Sequence, residues 1–343
     1  MEETLHHIIS NLHGGPLTLL IAAGLLILGK AADWLVDEAV TLSERSGIPT
    51  IVIGATVVSL GTTAPEAAVS VFAALQGSPG LALGNAVGSI ICDTGLILGL
   101  ACIIAPLRLD RAIVNRQGWI QIGTATALVI GCLPWTRIDL VFVNGGQLPQ
   151  VVGVVFLVAL ATYMWVSIRW ARSGMTPASK TDQKEAEPSA PIVVVVLKLS
   201  GAIALVVLSA QVLIPAIKEA ATRIEIPESI IAATLVAFGT SLPELVTAVT
   251  AARRGHGELA VGNIVGADIL NVLFVAGASA AVTADGLQAG GHFFRVLFPA
   301  MLFILLTFRV GIFISGDYMK RPFGFVLLAS YGIYMVISYL LPA

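Results

Sequence analysis

The chain has 343 residues, of which 57% are apolar and only 12% charged, with a mean hydropathy of +0.92 and a formal net charge of −2. So few charges cannot cover a soluble domain of this length, and the lack of a basic excess excludes an electrostatic nucleic-acid binder. Long apolar runs, instead of short alternating strands, exclude an outer-membrane barrel and predict an all-α polytopic membrane protein.

In chain order, the start MEETLHHIIS is acidic and lacks the basic segment of a cleaved signal peptide, so the first apolar stretch is expected to stay as a transmembrane helix. Windows of roughly 20 residues predict about ten spans. Five fall at 16–36, 50–76, 81–105, 118–135 and 148–170, and five more at 192–215, 228–252, 258–282, 293–313 and 322–341. Residues 171–191, rich in Ser, Pro, Lys and Glu, read as a linker between residues 1–170 and 192–343, each a five-helix half. The cysteines Cys92, Cys102 and Cys132 lie in apolar segments without metal-motif spacing and are expected to be buried bystander thiols.

Basic residues set the orientation. With the N-terminus outside, the inner loops hold 13 Lys and Arg, among them Arg45, Arg108, Arg111, Arg116, Arg254 and Arg321. The outer loops hold four: Arg137, Lys218, Arg223 and Arg295. Both termini are therefore expected outside and the 171–191 linker in the cytoplasm of a plasma (inner) membrane. Lys30 and Lys198 fall within spans, where such side chains snorkel toward an interface.

Residues 54–100 repeat at 232–278 without a gap, at an offset of 178 and with 19 of 47 positions identical. G-T-[TS]-x-P-E and G-N-x-V-G recur at that one offset, which chance similarity of apolar helices does not produce. The copies begin in the second and seventh predicted spans. An odd number of spans apart, they enter the bilayer from opposite sides, the inverted-repeat layout of secondary transporters.

Each copy carries a predicted helix break, at Gly61 and Pro65 and at Gly239 and Pro243. Proline has no N–H and crowds the carbonyl four residues back, freeing carbonyls around Ser59–Thr62 and Ala237–Thr240. Such a half-helix C-terminus carries partial negative charge and suits cations. Glu66 and Glu244 follow the prolines, and a carboxylate in mid-bilayer marks an ion or proton path. Thr62 and Thr240 stand four residues earlier, on the same helical face as those glutamates.

In the next helix Asn85, Ser89 and Asp93 share a face, matched by Asn263, Ala267 and Asn271. Gly84, Gly88, Gly262 and Gly266 allow close helix approach. Glu66, Glu244 and Asp93 supply charge, Asn271 is neutral, and Thr62, Thr63, Thr240, Ser241 and Ser89 supply hydroxyls. This set of hard oxygen donors selects calcium or sodium over zinc, copper or iron. Asp268, one step off the Ala267 face, reads as a structural hydrogen-bonding residue that could help hold Asn271.

GATVVSLGTTAPE and LVAFGTSLPE, with GNAVGSIICD and GNIVGADILN, resemble the α-1 and α-2 repeats of the calcium/cation antiporter superfamily, above all its prokaryotic sodium/calcium exchangers. The resemblance implies a diamond of Glu66, Asp93, Glu244 and Asn271 around the ions. It implies calcium held by Glu66, Glu244, Thr62 and Thr240, sodium positions that add the Ser59 and Ala237 carbonyls, Ser89 and Ser241, and no cofactor. Two departures stand out: Asp93 and Asn271 look exchanged relative to well-known relatives, and Ala267 stands where a serine is expected.

The reading that follows is a calcium/sodium antiporter working by alternating access, in contact with ions and lipid, with no obligatory protein partner evident and no enzymatic role. A calcium/proton antiporter is the nearest alternative, since buried carboxylates also take protons. A passive cation channel and an intramembrane acid–base enzyme are further alternatives. The channel needs no closed acidic site, and no protease-like aspartyl pair supports the enzyme.

Overall fold

Inside lipid every backbone N–H and C=O must be paired within the protein, so apolar stretches of this length become helices. The computed structural model describes residues 9, 12, 14–173, 191–224 and 240–341. In order, the helices are α1 (Gly14–Ser46), α2 (Thr50–Thr62), α3 (Ala64–Leu75), α4 (Pro79–Ile104), α5 (Arg111–Cys132) and α6 (Gln150–Ser173). Further along the chain come α7 (Ile192–Arg223), α8 (Leu242–Arg253), α9 (Gly257–Ala281), α10 (Phe293–Ile314) and α11 (Arg321–Leu340). Among the described residues seven helices are long and apolar enough to cross a membrane, and the α2–α3 pair, bent by 43°, makes an eighth.

Several boundaries differ from expectation. Helix α1 runs ten residues beyond the expected end at 36, through Asp37, Glu38 and Arg45. Its charges ended the apolar window but did not end the helix, because they find partners: Glu38 accepts from Trp34 Nε1 at 3.2 Å and lies 3.6 Å from Lys198 Nζ on α7. Helix α7 likewise continues past 215 to Arg223, with Pro215 inside it. Helix α6 takes in residues 171–173 of the expected linker. The rest of that linker lies outside the described residues, as does most of the first half of the expected span at 228–252.

Burial identifies the centre. The apolar window of α9 is 94% buried and that of α4 78% buried, against 28% for α7. Glycines permit the close crossing of α9 over α2. A Cβ on Gly262 would lie 2.2 Å from the Ile51 carbonyl oxygen, and one on Gly266 2.5 Å from the Ala55 Cα. A Cβ on Gly54 would in turn meet the Leu259 carbonyl oxygen at 2.8 Å. Gly61, expected as a helix weakener, has a packing reason too, since its Cβ would fall 2.5 Å from Ile203 on α7. Helices α1 and α7 pack along one another. Cys92, Cys102 and Cys132 are buried and free.

Two short antiparallel ladders lie between helices. β1 (Leu107–Arg108), between α4 and α5, pairs with β4 (Tyr318–Met319), between α10 and α11. β2 (Gly146–Leu148), between α5 and α6, pairs with β3 (Leu287–Ala289), between α9 and α10. Helix α5 therefore runs from the first ladder to the second, and α10 runs from the second back to the first. Helices α5 and α10 thus run in opposite senses between the two ladders.

Candidate cation site

The bend between α2 and α3 falls at Thr63, with Pro65 in the first turn of α3. Proline is tolerated there because a first-turn N–H has no partner within its own helix. Glu66 is the third residue of α3, and Glu244 is the third residue of α8, after Pro243. Both carboxylates thus sit in a first helical turn, where exposed N–H groups favour negative charge. Each residue is 1% exposed.

Helices α4 and α9 face this pair. Both change from α- to π-type winding near the polar positions singled out above, over Cys92–Ile97 and Asn271–Ala276. Helix α2 has the same winding over Gly54–Val58. A π-turn shifts the register of backbone pairing and is often found at functional sites. Asp93 lies in the first of these segments and Asn271 opens the second, both buried.

The polar contacts between these residues cross from one half of the chain to the other. Thr63 Oγ1 donates to Glu244 Oε1 at 3.2 Å, and Asn271 Nδ2 approaches Asp93 Oδ2 at 3.5 Å. Thr240 Oγ1 lies 3.4 Å from Asn85 Oδ1, while Asn85 Nδ2 donates to Ser70 Oγ at 2.9 Å. Glu66 Oε2, Asp93 Oδ1, Glu244 Oε2, Asn271 Oδ1, Ser241 Oγ and both amide atoms of Asn263 are buried without a hydrogen-bond partner among the described residues. Buried polar atoms are normally paired, so this concentration of free oxygen donors is where a cation fits. The ion pairs among the described residues lie elsewhere, so no Lys, Arg or His side chain neutralises these acids.

Ser59, Thr62 and Ser89 are also buried. Thr62 Oγ1 lies 3.4 Å from the Ser59 carbonyl oxygen, and Thr63 beside it donates to Glu244 of the opposite half. Ala237 and Gly239 lie outside the described residues, so the expected second helix break is not described. The Asp268 backbone carbonyl accepts from the Asn271 N–H, but its side chain turns elsewhere. It accepts from Thr94 Oγ1 and, at 2.5 Å, from Gln121 Nε2. Among the described residues no three His, Cys, Asp or Glu side chains close on one metal-sized point, so a cation here needs hydroxyl, amide or carbonyl oxygens besides the carboxylates.

Sequence reading missed the polar belt behind the site. Gln117 and Gln121, four residues apart on α5, are both buried. The Tyr163 hydroxyl of α6 lies 3.2 Å from the Ala55 carbonyl oxygen and 3.1 Å from Gln117 Oε1, and its one proton serves either acceptor. Two glutamines one turn apart in an apolar helix were the available signal, because such groups need partners in a membrane.

The fold is shared with a known transporter. The chain matches the family described as sodium/calcium exchanger protein over residues 16–169 and 194–340. It belongs to the sodium/calcium exchanger family. The sodium/calcium exchanger MaX1 of Methanosarcina acetivorans is 30% identical to it, over 94% of this chain and 98% of that one. The inner membrane protein YrbG of Escherichia coli strain K12 is 31% identical, over 88% and 94% of the two chains. Among solved structures, the sodium-calcium exchanger NCX_Mj soaked with sodium and strontium superposes with a TM-score of 0.74 and 27% identity, covering 95% of this chain and 99% of that one. This exchanger is accordingly a polytopic all-α membrane transporter and not an enzyme.

Proposed function

We propose that this family member exchanges calcium for sodium across the plasma (inner) membrane by alternating access. Ten helices form two inverted five-helix repeats, with both termini outside and the 171–191 linker in the cytoplasm. The observation that carries the reading is the hydrogen bond from Thr63 of the first half to Glu244 of the second, beside two buried glutamates, Glu66 and Glu244, that each sit in the first turn of a helix, with no ion-pair partner among the described residues. Calcium binds between them with oxygens from Thr62 and Thr240. Sodium ions use Asp93, Asn271, Thr63, Ser89, Ser241 and the carbonyls of Ser59 and Ala237. Asn85 and Asn263 stand behind these ligands.

Either load neutralises acids that are costly to carry uncompensated through a low-dielectric interior. A loaded site therefore lets α1 and α7 slide over the core, whereas an empty one resists. Exchange becomes obligatory and net leak slow. The relatives named sodium/calcium exchanger support the choice of ions.

One observation favours proton coupling as a second reading: Asp268 adds a fourth buried carboxylate without a basic partner. Calcium uptake into proteoliposomes, under a sodium gradient and separately under a pH gradient, tests both. Uptake that follows the sodium gradient at fixed pH supports the first reading. Uptake that follows only the pH gradient overturns it in favour of the second.

A further inference from the structure

The acid at position 268 has no counterpart in the other half, where the matching residue is Ile90, and its partner Thr94 matches Val272. Asp268, Thr94 and Gln121 come from α9, α4 and α5, and all three are buried. Thr94 Oγ1 donates to Asp268 Oδ2, and Gln121 Nε2 donates to the same oxygen at 2.5 Å while lying 3.4 Å from Thr94 Oγ1. Thr94 directly follows Asp93 within the π-type segment Cys92–Ile97. Tying the Thr94 side chain to α5 and α9 restricts how that turn can rotate, and so where the Asp93 carboxylate points.

The asymmetry of the clamp matches an asymmetry of charge. Asp93 is the ionisable member of the Asp93–Asn271 pair, and the clamp grips its neighbour Thr94, whereas the neighbour of Asn271 is Val272, with no hydroxyl to hold. A neutral amide can tolerate a looser seat. A carboxylate that must release and rebind a cation needs its oxygens held toward the ion, because a buried charge left without its ligand is costly. Gln121 is itself backed through Gln117, one turn earlier on α5, by the Tyr163 hydroxyl that also lies 3.2 Å from the Ala55 carbonyl oxygen in the α2 π-segment.

We infer that Asp268 is a positioning residue: with Thr94 and Gln121 it orients Asp93 toward the bound cation and thereby sets cation affinity. The inference rests on the exchange reading above. The test uses the full chain, with calcium-45 binding in detergent and sodium-driven calcium uptake in proteoliposomes. Thr94→Val is expected to weaken calcium binding and raise the KM for uptake by roughly tenfold, the scale of one lost buried hydrogen bond, with the maximal rate within about twofold. Thr94→Ser, which keeps the hydroxyl, restores both values, and Asp268→Asn falls between the two.

A merely structural role is separated by a double substitution. On an Asp93→Asn background, Thr94→Val adds nothing further if the clamp acts through Asp93, and adds its full effect if it does not. Should Thr94→Val fail to fold, Asp268→Asn carries the same comparison. Unchanged affinity in Asp268→Asn and Thr94→Val, or full additivity with Asp93→Asn, overturns the inference. Absence of sodium-driven uptake by the unsubstituted chain sinks the exchange reading instead, while the binding comparison still judges the clamp.

Discussion

Thr63 and Glu244, 181 positions apart in the chain, meet through a 3.2 Å hydrogen bond between buried side chains. The residue that ends the first broken helix thus touches the acid that begins the second half-helix. The two halves share their polar centre, so substitutions in either half act on the same cluster of side chains.

Replacing either glutamate by glutamine removes charge while keeping shape. Glu66→Gln or Glu244→Gln is expected to cut calcium affinity by about 100-fold, the scale of about 3 kcal/mol for an unmatched buried charge. The fold should stay intact, since each acid is left with an unpartnered oxygen in the structure. Calcium flux together with a thermal unfolding curve separates the two effects, and normal exchange by either variant refutes the site.

The crossing of α9 over α2 leaves no room for a methyl group. Gly262→Ala would place its Cβ 2.2 Å from the Ile51 carbonyl oxygen, and Gly266→Ala would place one 2.6 Å from Ser59 Oγ. Each should destabilise the protein by about 1–3 kcal/mol or more through overpacking. Gly123→Ala, with open space around it, should be silent in the same melting assay.

Tyr163→Phe deletes the hydroxyl whose one proton serves the Ala55 carbonyl oxygen or Gln117 Oε1, and leaves that buried acceptor without it. The expected loss is about 1–3 kcal/mol. If the variant is as stable as the parent, the polar belt is not structural.

Arg254, in the turn between α8 and α9, reaches α1 through Asp37 Oδ1 at 2.5 Å and the Asp33 carbonyl oxygen at 2.8 Å. The hydrogen bond to Asp37 holds its guanidinium above the usual range. The pair is exposed to solvent, so Asp37→Asn should change stability by less than about 1 kcal/mol, and by less still in high salt. A larger change would show that the contact is screened less than its exposure indicates.

The apolar windows and the repeat made much of this molecule legible in advance. Offset 178 pairs Glu66 with Glu244 and Asp93 with Asn271, and proline chemistry located the α2–α3 bend close to where it occurs. What stayed hidden depended on contacts between distant segments. Nothing local distinguishes Thr62 from Thr63 as the hydroxyl that meets a carboxylate. Helix ends at Ser46 and Arg223 were missed because a hydropathy window stops at charges, whereas a helix stops only when its backbone does. Gly61 could be read as a weak point of its helix, but its neighbour Ile203 belongs to the other half and no local pattern announces it.

The ladders between Leu107–Arg108 and Tyr318–Met319, and between Gly146–Leu148 and Leu287–Ala289, each fasten one half of the chain to the other, at opposite ends of α5. A protein clipped together at both faces cannot open like a clam shell about its centre. The motion that the proposed exchange calls for has to come from parts outside the clips, and α1 with α7 is the long, lightly buried pair that remains unfastened by either strand pairing.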